Sequence, residues 1–333
     1  MGASAILTRK VALPNFFSMT LNTEYARVAA QTFFGGADRD RFQRVAEQVR
    51  SCGSAEEAAR LSCETVTFNC HGRQVPLVVD VASNNQLLGA CRDVGEFSFG
   101  YEPEIHCALD ILTGADAVIY DIGANWGPIS LQAALREGFR GRVFAFEPQT
   151  PAYENLRAMV AAAGLESVLF PQNVAVSDHE GETHLTDDQW RGNVAVSESG
   201  TGEACRLVVL DRLDLPDPQL IKIDVEGHEQ AVLAGAAELL QRARPFVIFE
   251  DWIEHPKAHF AQLAGYGYAF YRLGWYNPFT GAMEERPPFL TTIQILGLQR
   301  VEPEGRSQLP RRINMLAAPQ PLIIEQYPGL ISL

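Results

Sequence analysis

From about residue 115 the chain keeps a repeating rhythm of short apolar runs, glycine or proline turns and stretches of helical spacing. AVIYDIG, PISLQAALREG, GRVFAFEP, PAYENLRAMVAAAG and SVLFPQNVAV follow one another in that order. Continuous apolar runs mark strands buried on both faces, and strands alternating with helices predict a doubly wound, mostly parallel α/β sheet. The rhythm continues through CRLVVLDRL, QLIKIDVEG, the helix HEQAVLAGAAELLQRA and RPFVIFEDW. Between the third and fourth core strands, HEGETHLTDDQWRGNVAVSESGTGEA is rich in Gly, Ser and acids, which predicts a hairpin and a mobile loop. Beyond Trp252 come a helix near HPKAHFAQLAGYG, strands at YAFYRL and TTIQILGL, and a last apolar piece, RRINMLAAP.

The chain before this rhythm reads differently. Phe42, Val45 and Val49 have helical spacing, and a second short helix restarts at Ser54. TVTFNCHGRQVPLVVDV then alternates Val66, Phe68 and Cys70 up to His71-Gly72, the pattern of a β-hairpin. The expected division is an N-terminal helical and hairpin extension over 1–95 and a larger α/β domain over 96–333.

Composition narrows the choice of partners. With 27 basic against 41 acidic residues, the net charge of -14 repels nucleic acid phosphates and anionic lipid surfaces. No run reaches the roughly 18 apolar residues of a membrane span. The first residues lack a hydrophobic segment after Arg9 and Lys10, so no secretion signal is expected, and Ile6 stands where myristoylation wants Ser or Thr. The cysteines at 52, 63, 70, 91, 107 and 205 form no C-x-x-C pair and read as reduced core residues of a cytoplasmic protein. His255 and His259 are four apart but have no Glu at H-E-x-x-H spacing, so no metal is expected there.

Chemistry concentrates at two strand ends. In VIYDIGANWGPISLQAAL, Gly123 and Gly127 permit a tight turn against a ligand, and Pro128 suits the first turn of a helix. A dinucleotide site would want G-x-G-x-x-G, whose middle glycine is here Asn125. An acid before the turn, Asp121, suits a cationic amino group better than a pyrophosphate. Glu147 lies twenty residues after Gly127, the offset at which an acid accepts hydrogen bonds from ribose hydroxyls. A nucleoside without phosphates points to S-adenosylmethionine.

The second strand end, QLIKIDVEGHEQ, spaces Lys222, Asp224 and Glu226 by two, on one face of an extended segment. Such a polar stripe serves a ligand or pairs internally, Lys222 with Glu226 for instance. His228 and Glu229 open the next helix, where Glu229 suits the helix dipole. Glu250, at the end of RPFVIFEDW, is expected beside Asp224 in a doubly wound sheet, with Trp252 packing under a loop.

Together DIGANWG, FEP, NVAVSD, LD, IKIDVEGHE and the apolar run ending in Glu250 resemble the FkbM family of S-adenosylmethionine-dependent methyltransferases, over about residues 97–255 and more weakly in INMLAAP. The resemblance implies a class I methyltransferase (Rossmann-like) fold, a seven-stranded sheet with its last strand antiparallel, and O-methylation of a sugar, polysaccharide or secondary-metabolite acceptor. It implies that Asp121, Gly123, Ala124, Asn125 and Gly127 hold the methionine part of the cofactor, Glu147 its ribose, and Asn173 and Val174 its adenine. On the acceptor side, Asp224 orients the hydroxyl and His228 is the general base, because its ordinary pKa lies near neutrality. Glu226 and Glu250 are the alternative bases. Two readings stay open beside this one: an NAD-dependent oxidoreductase, and a non-catalytic binding module on a degenerate methyltransferase fold.

Overall fold

Strands buried on both faces cannot hydrogen-bond to water, so they satisfy one another, and the apolar runs read from the sequence become adjacent parallel strands. The computed structural model describes residues 16–20, 63–70, 73–80, 102–185, 196–197, 202–254, 257–277, 282–284, 295–320 and 330–332. Strands β4 (Val118–Ile122), β5 (Arg142–Phe146) and β6 (Leu169–Gln172) pair in parallel to one side of β4, and β11 (Leu220–Ile223) and β12 (Phe246–Trp252) to the other. Strand β16 (Arg312–Pro319) inserts between β12 and β13 (Tyr268–Asn277), antiparallel to both. The run β13-β16-β12-β11-β4-β5-β6 is the expected seven-stranded, doubly wound sheet.

The sheet does not stop there. Strand β15 (Ile295–Val301) extends it past β13, then β1 (Phe16–Thr20) and β17 (Leu330–Ser332), and β14 (Ala282–Glu284) also pairs with β13, for eleven strands in all. The strand at Phe16–Thr20, from the N-terminal extension, is therefore part of the main sheet. The hairpin strands β2 (Cys63–Cys70) and β3 (Arg73–Asp80) pair antiparallel as read, Cys70 opposite Arg73. The helices read over 38–61 lie outside the described residues.

Alternation sorts the core into two layers. Ile119, Val143, Leu220 and Ile248 meet Leu109, Ile129, Leu131 and Leu156 on one face. These come from helices α1 (Pro103–Leu112), α2 (Pro128–Leu135) and α3 (Thr150–Ala163). Tyr120, Ile122, Ile221, Ile223, Val247 and Phe249 meet Val232, Leu233, Leu240, Phe260 and Leu263 on the other. Those come from α4 (Glu229–Ala234), α5 (Ala237–Ala243) and α6 (Ala258–Gly265). Among the described residues no helix is long and apolar enough to cross a membrane.

Two readings are corrected. CRLVV does not join the parallel sheet. As β10 (Ala204–Val208) it pairs with β7 (Ala175–Val176) and β8 (Gly181–Leu185) in a separate sheet completed by β9 (Val196–Ser197). HEQAVLAGAAELLQRA is two helices, not one. They part at Gly235, which passes so close to β7's end that a Cβ there would lie 2.0 Å from the Ser177 carbonyl oxygen.

Candidate active site

In a doubly wound sheet the connections leave in opposite directions from the first strand, and the crevice this opens at the carboxyl ends of the strands is where ligands bind. β4 is that strand, flanked by β5 and β11. A cleft of about 740 Å3, counting its solvent-open part, lies at its end. Gly123, Ala124, Asn125, Glu147, Val174, Lys222, Asp224, Glu226 and His228 all line it. The two strand ends singled out in the sequence thus share one cleft.

The turn after β4 is shaped by close approach. Gly123 has φ +77°, and a Cβ on it would lie 1.8 Å from the Asp224 carbonyl oxygen, so only glycine lets the two strand ends come together. Asn125 is also left-handed, φ 53°, a conformation Asn tolerates, and its Oδ1 accepts the Trp126 amide at 2.8 Å. Gly127, φ +85°, precedes Pro128 at the start of α2. Glu147 accepts the amides of Asn125 (2.7 Å) and Gln149 (2.8 Å), one on each oxygen, and so ties this turn to the end of β5. Burial outweighs those hydrogen bonds and pushes its pKa up to about 7.

Register explains the charges beneath the cleft. Lys222 is the pairing partner of Asp121 across β11 and β4, and both are buried. The Lys222 ammonium lies 3.5 Å from Asp121 Oδ1 and 3.4 Å from Asp224 Oδ2, and donates to the Gly123 carbonyl at 3.3 Å. Burial alone would lower its pKa, but the charges of Asp224, Asp121 and Glu102 raise it, so it stays charged. The internal pair Lys222–Glu226 is not formed; Asp121 and Asp224 take its place. Asp121 Oδ2 accepts from Ser130 at 2.6 Å, while Oδ1 is buried without a hydrogen bond.

Glu250 comes beside Asp224, as expected, because Ile223 pairs with Phe249 one residue earlier on each strand. Carboxylate oxygens of Asp224, Glu226 and Glu250 lie within 4.8 Å of one another. β11 ends at Ile223, and Glu226 turns with φ 51°, so the three arrive from a loop and a neighbouring strand, not from one extended face. Burial, then the neighbouring Asp224, pushes Glu226 up to about 7 and raises Glu250. Glu102, at the start of α1, is pushed up to about 8 by burial and then by Asp224. Arg312 on β16 bonds Glu250, and Trp252 Nε1 donates to Glu250 Oε2 at 2.5 Å while Arg311 and Arg312 lie over its ring.

His228 Nε2 is 3.0 Å from the hydroxyl of the fully buried Ser177. Burial lowers the pKa of His228, so its ring is neutral at pH 7. Glu229 Oε1 accepts the Gly227 amide at 3.0 Å, which ties the turn before α4 to the helix's first residue. Asn173 stands apart from the cleft lining: its amide donates to the carbonyls of Glu147 (3.1 Å) and Pro148 (3.0 Å), which fixes the loop after β5. His259 lies buried 3.4 Å from Asp251, and His255 lies outside the described residues. Glu102 gave no signal in the sequence, being distant from the quoted motifs, while Arg312, just before INMLAAP, and Ser177, within NVAVSD, carried no role there.

Comparison with known proteins follows the same lines. Residues 121–270 match the family described as the methyltransferase FkbM domain. The hexuronic acid methyltransferase AglP of Haloferax volcanii is 29% identical over 140 residues, 40% of this chain and 56% of that protein. The AMB antimetabolite synthetase AmbE of Pseudomonas aeruginosa is 32% identical over 112 residues, 33% of this chain and 5% of that protein. The chain thus spans about half the length of one curated relative and a small part of the other. Among solved structures, the methyltransferase FkbM of Methylobacillus flagellatus aligns with a TM-score of 0.39 at 15% identity, over 79% of this chain and 60% of that one.

Proposed function

We propose, from the membership of residues 121–270 in the FkbM methyltransferase family, that this protein moves a methyl group from S-adenosylmethionine to a hydroxyl of a sugar or related acceptor. The observation that carries the proposal is the joint cleft, with a nucleoside-type turn on one wall and a carboxylate and histidine wall opposite. The residues fit the cofactor. Asp121 Oδ1 makes no hydrogen bond, though Lys222 faces it at 3.5 Å, and the Gly123-Ala124-Asn125 turn and the Glu147 carboxyl line the cleft where a nucleoside and an α-amino group would lie. Asp121, Gly123, Ala124, Asn125 and Gly127 would hold the methionine end, Glu147 the ribose through its remaining lone pairs, and Val174 the adenine, with Asn173 bracing the loop.

When bound, S-adenosylmethionine supplies an electrophilic methyl group. Lys222 fixes Asp121 and Asp224 in their places. Asp224 accepts a hydrogen bond from a neighbouring hydroxyl of the acceptor and so aims the reacting oxygen, whose own single proton is left for the base. His228, uncharged at pH 7, takes the hydroxyl proton. A second choice of base is favoured by a specific observation: Glu226, raised to about 7, is also matched to this task. A sugar acceptor is supported by AglP, a hexuronic acid methyltransferase, and a cytoplasmic setting by the free, buried Cys107 and Cys205.

Calorimetric titration with S-adenosylmethionine and separately with NAD, followed by methyl transfer to free hexuronic acids and neutral hexoses, tests the reading. Binding of the first, weakened by Glu147→Ala, with transfer lost by roughly two to four powers of ten in His228→Ala, is the expected result. Binding of NAD alone would overturn it. Equal loss in Glu226→Gln with none in His228→Ala would move the base to Glu226.

A further inference from the structure

Methyl transfer from a sulfonium to a hydroxyl yields a neutral thioether, an ether and one proton, and that proton must leave a partly buried site each turnover. We propose that Ser177 and Asp178 form a relay that carries it from His228 to solvent, and that the same hydrogen bonds fix Nδ1 of His228 as the basic nitrogen. The catalytic use of the relay rests on the methyltransferase reading with His228 as base; the hydrogen-bonded chain does not.

The direction of each bond follows from donor and acceptor counting. Asp178 accepts from His179 Nδ1 at 2.6 Å, and that hydrogen bond holds its carboxyl below the usual range, so it is ionised and only accepts. The Ser177 hydroxyl, 3.3 Å from the same Asp178 Oδ1, must therefore spend its single proton there. Its oxygen is left to accept, and the His228 Nε2 at 3.0 Å must carry the hydrogen. With Nε2–H committed, the lone pair of the neutral ring sits on Nδ1, the nitrogen left for the cleft that His228 lines.

The parts are held where a relay needs them. Ser177 is fully buried, its amide donates to the Val208 carbonyl at 2.8 Å, and Gly235 packs against its carbonyl too closely for a side chain. Asp178 and His179 are about half and two-thirds exposed, so the chain runs from the cleft to the surface. The charged groups acting on His228 are Asp178 and His179 beyond β7 and Glu229 on its own helix. As the acceptor oxygen gains the methyl group, its proton goes to Nδ1, the Nε2 proton to Ser177, the Ser177 proton to Asp178 and the last to water. Return of the ring to its Nε2–H form between turnovers, by exchange with water, closes the cycle with one proton released.

Nitrogen-15 spectroscopy of the histidine rings of the full chain tests this without any acceptor. Expected are a His228 ring protonated at Nε2 and, in Asp178→Asn, the same tautomer with solvent exchange of that proton slowed roughly tenfold or more, because an amide accepts the hydrogen bond but not the proton. A mere loosening of structure would speed exchange instead. Ser177→Thr should keep the tautomer and Ser177→Val release it; if the buried site rejects both, the exposed Asp178→Asn still decides. An Nδ1–H ring in the wild type, or exchange unchanged or faster in Asp178→Asn, would overturn the relay. That result would leave the methyltransferase reading standing, since transfer lost in His228→Ala is measured separately.

Discussion

At the scale of single residues, backbone geometry and charge state make separable predictions. Gly123 and Gly138 both have positive φ, +77° and +73°, but a Cβ on Gly123 meets Asp224's carbonyl whereas one on Gly138 meets nothing within 4 Å. Gly138→Ala should cost only the left-handed strain, about 1 to 2 kcal/mol, and Gly123→Ala should exceed that by about 2 kcal/mol or more and abolish cofactor binding. Denaturant unfolding of the pair checks the difference; equal costs would mean that the strand ends separate easily. Glu147 supplies a pH signature. Its folded pKa of about 7 lies above the reference 4.5, so its favourable contribution is complete below 4.5 and is lost as pH rises toward 7. The loss is at most about 3 kcal/mol, and Glu147→Gln should remove that slope from the stability profile measured between pH 4 and 8.

Elements show what a local reading can and cannot reach. Strands β4, β5, β11 and β12 were legible because burial on both faces writes itself as an apolar run, and the nearness of Asp224 and Glu250 followed from two such strands lying side by side. Strand β10 carries the same apolar signature, and nothing local distinguishes a partner in a small second sheet from one in the large sheet. The lack of room for a side chain at Gly235 has a remote origin, the carbonyl of Ser177, and Glu102 and Arg312 likewise reach Asp224 and Glu250 from distant parts of the chain. The same holds for the anchor of β12. Asp251, beside Glu250, is buried with Arg306 from the 3-10 turn before β16, and Arg306 also donates to the carbonyls of Asp251 (2.8 Å) and Pro310 (2.8 Å). Burial would raise the Asp251 pKa, but the donors facing it, His259 at 3.4 Å with Lys257 and Arg306 hydrogen-bonded to it, hold it below the usual range. Its contribution is therefore present above its ordinary pKa of 3.8 and lost as pH falls through the folded value. Arg306→Met, which leaves Asp251 with fewer partners, should cost about 3 kcal/mol in urea unfolding and move acid unfolding to higher pH. A near-neutral effect would mean that Lys257 and His259 suffice.

Charge acts on the whole molecule, and it bears on the acceptor. The chain carries a net -14, and one wall of the cleft gathers Asp224 with Glu226 and Glu250, beside Lys222 and Arg312. The raised pKa values of Glu226 and Glu250 leave them only partly ionised near pH 7, so the repulsion a substrate meets on approach comes from the net charge of the molecule. A hexuronic acid, the acceptor type in AglP's name, brings its own carboxylate into this field, whereas a neutral hexose brings none. At about 0.01 M salt the field reaches roughly 30 Å, and at about 0.1 M roughly 10 Å, so added salt relieves repulsion felt on approach. If free hexuronic acid is an acceptor, its KM should fall about threefold or more over that range while the KM of a neutral hexose and kcat for both stay level. Initial-rate measurements at the two salt concentrations decide the matter. A hexuronate KM that rises with salt would mean that a cationic group, Arg312 being the nearest to the acid cluster, recognises the substrate carboxylate and outweighs the net charge.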